Sequence, residues 1–151
     1  MRLWRISDYA NLSGEGGLRI SGRWHSQGRR IVYLADHPAS PLLEVLVHLE
    51  VDPEDLPDTY QLLAIDVPDD IRFESIEENQ LALGWPGDET LTRGLGDRWL
   101  NERRTALLRV PSAVVPFAWN WLLNPAHADS SKVHIAEIIR APFDPRLFKM
   151  P

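Results

Sequence analysis

Short runs of β-branched and aromatic residues are interspersed with helical segments along this chain. Five runs predict strands, at residues 3–6, 31–35, 60–67, 114–117 and 133–139. Two segments predict helices, one from Pro41 to Glu50 behind a Ser40 N-cap and one from Asp88 to about Leu108. Because strands and helices do not alternate regularly, as they do in a doubly wound sheet, the order favours an α+β fold with a mixed β core and flanking helices.

The size and charge of the chain narrow its class. A length of 151 residues suits one hydrophobic core, so we expect a single domain over residues 1–151. The 16 Lys and Arg residues against 22 Asp and Glu residues give a net charge of −6, which disfavours direct nucleic-acid binding. The sequence has no apolar run near the roughly 20 residues that cross a bilayer and no signal peptide, so we expect a cytoplasmic protein that does not bind membranes.

Residue counts and spacings exclude several kinds of site. The sequence has no cysteine, and therefore no disulfide, thiolate nucleophile or cysteine-based zinc site. Its five histidines lack the close pairs typical of zinc ligands, so we expect no metal site. The Gly14-Glu15-Gly16-Gly17 run matches neither a Rossmann nor a Walker pattern, and Ser112 lacks the Gly-x-Ser-x-Gly elbow of esterases.

The first helix carries a carboxylate in an apolar setting. It is apolar almost all round, so we expect it to be largely buried. Its polar residues Ser40, Glu44 and His48 are spaced by four and share one face. That face is either the solvent edge of the helix or the wall of a cleft in which Glu44 is catalytic. A partly desolvated carboxylate would stabilise the positive charge of an oxocarbenium-like transition state.

Two arginines and a serine are candidate ligand contacts. Arg23 follows Gly22, and its guanidinium could bind phosphate oxygens while the glycine lets a ligand approach the backbone; the alternative is a surface stacking pair with Trp24. Arg5 in its short apolar strand is either a ligand contact or an edge charge in water. Ser112 lies between apolar stretches, where its hydroxyl needs a ligand or a backbone partner in a turn.

Taken together, several short motifs resemble a RES domain, the toxin partner in bacterial Xre–RES toxin–antitoxin pairs. The resemblance implies a fold like that of the ADP-ribosyltransferases and an activity that degrades NAD. The motifs that carry it are Trp4-Arg5, Gly22-Arg23-Trp24, Val32-Tyr33-Leu34, Leu43-Glu44-Val45-Leu46-Val47-His48, Val110-Pro111-Ser112 and Leu122-Leu123-Asn124-Pro125-Ala126-His127.

The resemblance also implies a role for each candidate residue. Arg23 would bind the pyrophosphate or ribose side of NAD, and Arg5 would add a second positive contact. Tyr33 would pack against the nicotinamide end with its ring and hydroxyl. Glu44 would hold the nicotinamide ribose hydroxyl and stabilise the cation left when nicotinamide departs. Ser112 would orient the ribose or the nicotinamide through a hydrogen bond.

The implied reaction is cleavage of the nicotinamide–ribose bond, with water or inorganic phosphate as acceptor. NAD is the substrate and no cofactor or metal is needed. The implied partner is an Xre-family antitoxin, and the sequence leaves open a homodimer or a larger toxin–antitoxin assembly. A first alternative is ADP-ribosylation of a protein target.

A second alternative is a catalytically impaired domain that serves as an interaction module. Ala118 motivates it, because this position is usually acidic in the family. The aromatic residues Phe117, Trp119 and Trp121 would then form either a contact surface or part of the core.

Overall fold

The computed structural model describes residues 1–48 and 55–148, and these form one seven-stranded sheet with helices packed against it. The strands are β1 (Arg2–Ile6), β2 (Val32–Ala35), β3 (Thr59–Asp66), β4 (Phe73–Ser75), β5 (Leu107–Pro111), β6 (Trp119–Leu123) and β7 (His134–Pro142). The α-helices are α1 (Gly16–Arg19), α2 (Ala39–His48) and α3 (Glu89–Glu102). None of the described helices is long and apolar enough to span a membrane.

The strand order is β4-β5-β6-β2-β1-β3-β7. β4 pairs with β5 in parallel, and every other neighbouring pair is antiparallel. The sheet is therefore mixed, which confirms the predicted α+β class. β1 and β2 lie side by side near its centre, so residues on these strands can contribute to a common site.

Four of the five predicted strands are present, with small differences at their ends. The strand predicted at 114–117 is wrong, because this segment is a turn in which Phe117 has a φ of 64°, and the strand begins only at Trp119. The strands β4 and β6 and the helix α1 were not predicted from the sequence, and β5 begins where the second predicted helix was expected to end. The predicted end of the first helix at Glu50 lies outside the described residues.

The second helix is shorter than its sequence pattern predicts. It begins behind Asp88, whose carboxylate accepts a hydrogen bond from the Leu91 amide. It ends at Glu102 because Arg103 adopts a left-handed conformation with a φ of 50°. Leu107 and Leu108, at the end of the segment predicted to be helical, belong to the strand β5 instead.

Helix α2 is not buried as its composition predicts. None of its residues is fully buried, and Leu43 and Val47 are 40% and 58% exposed. The helix packs on β1 and β2 from one side, so its other apolar residues face outward. The prediction of a largely buried helix is therefore wrong, although the face that carries Glu44 does turn toward the protein.

Helix α3 holds the segment between α1 and β2 against the sheet. Gly96 permits close contact, because a Cβ at this position would lie 1.7 Å from the Trp24 carbonyl oxygen. The buried Thr92 hydroxyl donates a hydrogen bond to the Arg23 carbonyl. The Asp97 carboxylate accepts hydrogen bonds from both the amide and the hydroxyl of Ser26. These contacts fix the backbone on either side of Trp24.

Candidate active site

A groove of about 590 Å³ lies over the centre of the sheet. Strands β1, β2 and β6, helices α2 and α3 and the segment from α1 to His25 all contribute to its walls. Four of the five candidate residues predicted from the sequence belong to its lining, namely Arg5, Arg23, Tyr33 and Glu44. Residues from β1, the segment before β2, β2 itself and α2 are therefore brought to one cavity.

Glu44 faces the groove from α2 and is held from both sides. Its Oε1 accepts a hydrogen bond of 3.1 Å from Nδ2 of Asn120 on β6. Its Oε2 lies 3.8 Å from Nε2 of His48, one turn along the helix, and His48 also lines the groove. The Glu44 side chain is 33% exposed, so a ligand in the groove can reach it. The polar face of this helix thus forms a wall of the cavity.

No role was predicted for Asn120 from the sequence. Its amide contacts Glu44 across 76 residues of chain. Ala35 of β2 pairs directly with Asn120, and this register brings the amide beside the groove. No local pattern around Asn120 signals the contact, because it depends on how β6 aligns with β2.

The Arg23 side chain, from the segment between α1 and β2, lies beside the residues that precede α3. Its Nη1 donates a 2.6 Å hydrogen bond to the Pro86 carbonyl, and the Thr92 contact fixes its own carbonyl. Within residues 1–48 and 55–148, Arg23 forms no ion pair. A guanidinium in this state keeps donors and a positive charge for an anionic ligand.

Arg93 is a second groove arginine that sequence reasoning missed. Its Nε donates a 2.8 Å hydrogen bond to the Gly22 carbonyl, and its guanidinium pairs with Glu89 one turn earlier. Glu89 lines the groove as well. In the sequence, this i,i+4 pair is typical of an exposed helix surface, so it carries no sign of a binding site.

Tyr33 lines the groove from β2, and its hydroxyl is turned toward the neighbouring segment. The hydroxyl oxygen accepts a 3.1 Å hydrogen bond from the Trp24 amide and lies 2.8 Å from Nδ1 of His25. Burial raises the pKa of the Tyr33 phenol, which therefore stays protonated at neutral pH. The aromatic ring is the part of Tyr33 that the groove presents to a ligand.

Arg5 lies at the edge of the groove. Its Nη1 donates a 3.1 Å hydrogen bond to the Asn11 carbonyl, and burial lowers the pKa of the guanidinium. Strand alternation places Arg5 on the same side of β1 as Leu3, which belongs to the core on the opposite face from Tyr33. The guanidinium therefore anchors the segment before α1, and its contact with a ligand stays a prediction.

Ser112 is not among the residues that line the groove. It belongs to a separate depression of about 290 Å³, which Ala118 also lines. The Ser112 hydroxyl oxygen accepts hydrogen bonds of 3.2 and 3.1 Å from the amides of Val114 and Val115. This is the turn-making arrangement that the sequence left open as an alternative. The predicted contact of Ser112 with a ligand has no support in this geometry.

Ala118, the position that is usually acidic in the family, does not line the groove. Ala118 lies in the same turn, where its carbonyl accepts a hydrogen bond from the Ser112 amide. Of the neighbouring aromatic residues, Trp121 is buried in the core, whereas Phe117 is 99% exposed. The ring of Trp119 packs against the Arg109 guanidinium, whose Cζ lies 4.1 Å from the ring centroid.

Comparisons with known proteins agree with one another. A family model described as RES domain matches residues 2–144. The chain is 49% identical over 150 residues to a protein of Pseudomonas putida named Toxin Res, with 98% of this chain and 100% of the relative covered. It is 35% identical over 156 residues to a Sphingobium sp. protein named Prs ADP-ribosylating toxin, with 97% and 96% covered.

A solved structure shows the same fold. The crystal structure of the Mycobacterium tuberculosis MbcT–MbcA toxin–antitoxin complex contains a chain that aligns with a TM-score of 0.77 at 20% identity, covering 97% of this chain and 86% of that one. The family model spans nearly the whole chain, and two relatives above 30% identity cover 98% and 97% of it. The chain therefore belongs to the RES domain family.

Proposed function

We propose that this RES-domain protein is the toxin of a toxin–antitoxin pair and that its groove cleaves the nicotinamide–ribose bond of NAD. The observation that carries the proposal is the Glu44 carboxylate, fixed by Asn120 in the same cavity as Arg23 and Tyr33. The ADP-ribosyltransferase-like fold of RES domains agrees with it.

The chemistry needs a carboxylate and no protein nucleophile. When the C–N bond breaks, its electron pair leaves with nicotinamide and positive charge develops on the ribose. Glu44 stabilises that charge and accepts a hydrogen bond from a ribose hydroxyl. Water then adds to the cation and releases one proton, giving ADP-ribose. Inorganic phosphate adds in the same way and gives ADP-ribose phosphate.

The rest of the groove supplies orientation. Arg23 binds the pyrophosphate, because its guanidinium retains donors for phosphate oxygens. Arg93 lies near Arg23. Arg93, on α3, donates a hydrogen bond to the Gly22 carbonyl beside Arg23, and Arg23 donates one to the Pro86 carbonyl just before α3. The Tyr33 ring offers a flat apolar surface to nicotinamide. In this assignment, the pyrophosphate lies toward α3 and the reacting ribose lies toward α2.

The partner we propose is an Xre-type antitoxin. The relative from Pseudomonas putida is named as a toxin, and the structural neighbour comes from a toxin–antitoxin complex. An antitoxin that covers the groove would block NAD without altering the fold. The proposed partner and the proposed reaction can be tested separately.

A second candidate function is transfer of ADP-ribose to a protein. The name of the Sphingobium relative, an ADP-ribosylating toxin, favours it. The first half of the reaction is the same, and the two candidates differ only in the acceptor. The groove is open on the side of Glu44, as its exposed fraction of 33% indicates, so an acceptor other than water has access.

The test is to incubate the purified protein with NAD, with and without phosphate, and to quantify nicotinamide. We expect nicotinamide release in both conditions, with ADP-ribose or its phosphate as the other product. Absence of release from the purified wild-type protein would overturn cleavage by water or phosphate, and absence of release in a lysate that supplies protein acceptors would overturn both enzyme proposals. Mass spectrometry of a lysate treated with the protein distinguishes them, because a modified protein supports transfer and free ADP-ribose alone excludes it.

A further inference from the structure

His25 is a buried histidine that neither the sequence analysis nor the proposed mechanism uses. It is one of the residues that line the groove and is 3% exposed. Its Nδ1 lies 3.1 Å from the Gly22 amide nitrogen and 2.8 Å from the Tyr33 hydroxyl oxygen. Its Nε2 lies 3.0 Å from the Ile20 carbonyl oxygen. Both ring nitrogens therefore form hydrogen bonds, and their partners either lie next to Arg23 or line the groove.

These contacts determine the tautomer of the ring. The Gly22 amide hydrogen is shared between Nδ1 and the His25 backbone carbonyl, and because an amide can only donate, this contact favours an Nδ1 that accepts and carries no hydrogen. The ring hydrogen is then on Nε2, which donates to the Ile20 carbonyl. The carbonyl can only accept, so the two ends of the ring lead to the same assignment. His25 is a neutral imidazole with its hydrogen on Nε2.

The tautomer in turn decides what the Tyr33 hydroxyl does. Since Nδ1 has no hydrogen, the 2.8 Å contact is a donation from the phenol to the imidazole. The phenol oxygen meanwhile accepts from the Trp24 amide. The single hydroxyl hydrogen of Tyr33 is thus directed to His25 and away from the groove. The resemblance to other RES domains implied a ligand contact by this hydroxyl, and the hydrogen-bond network gives it an internal role.

Gly22 belongs to the same network. A Cβ at this position would lie 2.5 Å from the Tyr33 hydroxyl oxygen and 2.9 Å from Nδ1 of His25. Because Gly22 has no side chain, the Tyr33 and His25 side chains can lie against the backbone beside Arg23. The sequence analysis attributed this glycine to the approach of a ligand, which stays a prediction because Gly22 lines the groove; the structure adds a second reason, the close contact of these two rings.

We propose that His25 is a positioning residue for NAD: it holds the Tyr33 ring and the Gly22–Arg23 backbone in their binding geometry through one acceptor nitrogen. The catalytic part of this inference rests on the proposed function, and the geometric part does not. The charged groups that face this network are Arg93 and Asp97 from α3 and Arg23 from its own segment. Burial lowers the pKa of His25, so the ring stays neutral at neutral pH.

The first test needs no NAD. NMR of protein with ¹⁵N-labelled histidine reports which ring nitrogen is protonated. At pH 7.5 we expect one histidine, absent from the His25→Asn spectrum, with an unprotonated Nδ1 and a protonated Nε2. Its Nδ1 signal should shift in Tyr33→Phe, which removes the hydroxyl donor. A ring protonated at Nδ1, or an Nδ1 signal unchanged by Tyr33→Phe, would overturn the inference.

The second test separates positioning from general structural damage. The Oδ1 atom of asparagine can replace Nδ1 as acceptor, whereas leucine offers none. We expect His25→Leu to raise KM for NAD at least tenfold with kcat changed less than threefold, and His25→Asn to restore most of the affinity. The exposed His134→Leu is the matched control. Equal effects of the leucine and asparagine variants would contradict a positioning role.

A double variant completes the design. If the Tyr33 hydroxyl acts through His25, then His25→Leu combined with Tyr33→Phe should raise KM no more than the larger of the two single changes. Additive effects would mean that the hydroxyl contacts NAD directly. If the wild-type protein releases no nicotinamide, the proposed reaction fails, and the NMR signals still decide whether the His25 geometry is correct.

Discussion

The Asn120 amide donates a 3.1 Å hydrogen bond to Oε1 of Glu44, and this contact joins β6 to α2 over the groove. It occupies one carboxylate oxygen and leaves the other directed toward His48 at 3.8 Å. Glu44 comes from a helix with no fully buried residue, so packing alone does not fix its side chain. Asn120 supplies the restraint that α2 lacks.

Glu44→Gln tests the charge of this carboxylate. Glutamine has the same shape and can still accept the Asn120 hydrogen bond, so the fold should be unaffected. Nicotinamide release should fall at least about 100-fold, because a neutral amide does not stabilise the cation. Glu78→Gln, on an exposed residue outside the groove, is the matched control and should react at the wild-type rate. An unchanged rate in Glu44→Gln removes this residue from the mechanism.

Asn120→Asp tests the restraint on Glu44. The change replaces the amide donor by a second carboxylate about 3 Å from Glu44, so the hydrogen bond is lost and two negative charges face each other. Nicotinamide release should fall about tenfold in Asn120→Ala, which loses only the hydrogen bond, and further in Asn120→Asp, where charge repulsion displaces the Glu44 carboxylate. Equal rates in the two variants would contradict the assignment.

Four of the five candidate residues predicted from the sequence line one groove, whereas the residues that hold them in place were not predicted. Glu44 and Arg23, which line the same groove, could be predicted as candidates from local signals. These signals are the spacing of four between polar residues on one helix face and the glycine–arginine motif. Asn120 and Arg93 were missed because their contacts depend on strand register and on helix docking. The residue pattern left a ligand and a turn open for Ser112, because a hydroxyl between apolar runs serves either; the resemblance implied the ligand, and in the structure the hydroxyl accepts two hydrogen bonds within a turn.

Arg23→Ala tests the pyrophosphate contact. A charge-assisted hydrogen bond to phosphate contributes about 1.5–3 kcal/mol, so KM for NAD should rise about tenfold or more. Arg23→Lys should recover only part of this affinity, because an ammonium group cannot make the two parallel hydrogen bonds of a guanidinium. Arg98→Ala, on the exposed side of α3, is the control. If Arg23→Ala changes kcat and leaves KM unchanged, the pyrophosphate must bind elsewhere.

The buried neutral His25 predicts a pH dependence of folding. Its pKa is lowered in the folded protein because burial disfavours the charged ring, while the unfolded chain takes up a proton near pH 6.5. The free energy of unfolding should therefore be constant above about pH 7 and fall as the pH decreases from about 6.5 to the folded pKa, by at most about 1.4 kcal/mol per pH unit. Denaturant titrations between pH 7.5 and 5.5 measure it.

His25→Asn is the control for this pH dependence, because asparagine does not titrate. The fall between pH 6.5 and 5.5 should be absent in this variant. The carboxylates whose pKa values are lowered by arginine or lysine partners, such as Glu74 and Asp144, lose their contribution in a more acidic range. A wild-type protein whose stability does not change over this interval would contradict a buried neutral ring at position 25.

Two glycines in α3 offer a matched test of how the helix supports the groove. Gly94 has open space around it, so Gly94→Ala should stabilise the protein by up to about 1 kcal/mol through helix propensity. Gly96 lies against Trp24, and the added Cβ of Gly96→Ala would stand 1.7 Å from a carbonyl oxygen. We expect a loss of about 2 kcal/mol or more, because neither the helix nor the backbone can yield cheaply.

The same pair separates stability from binding. In thermal unfolding, Gly94→Ala should raise Tm by about 2–4 °C and Gly96→Ala should lower it by about 4 °C or more. The backbone displaced by Gly96→Ala carries Arg23 on one side of Trp24 and His25 on the other, so KM for NAD should also rise at temperatures where the variant is folded. Gly94→Ala should leave KM unchanged. Equal stability of the two variants would mean that α3 does not press on Trp24, and the link between helix docking and groove geometry would be lost.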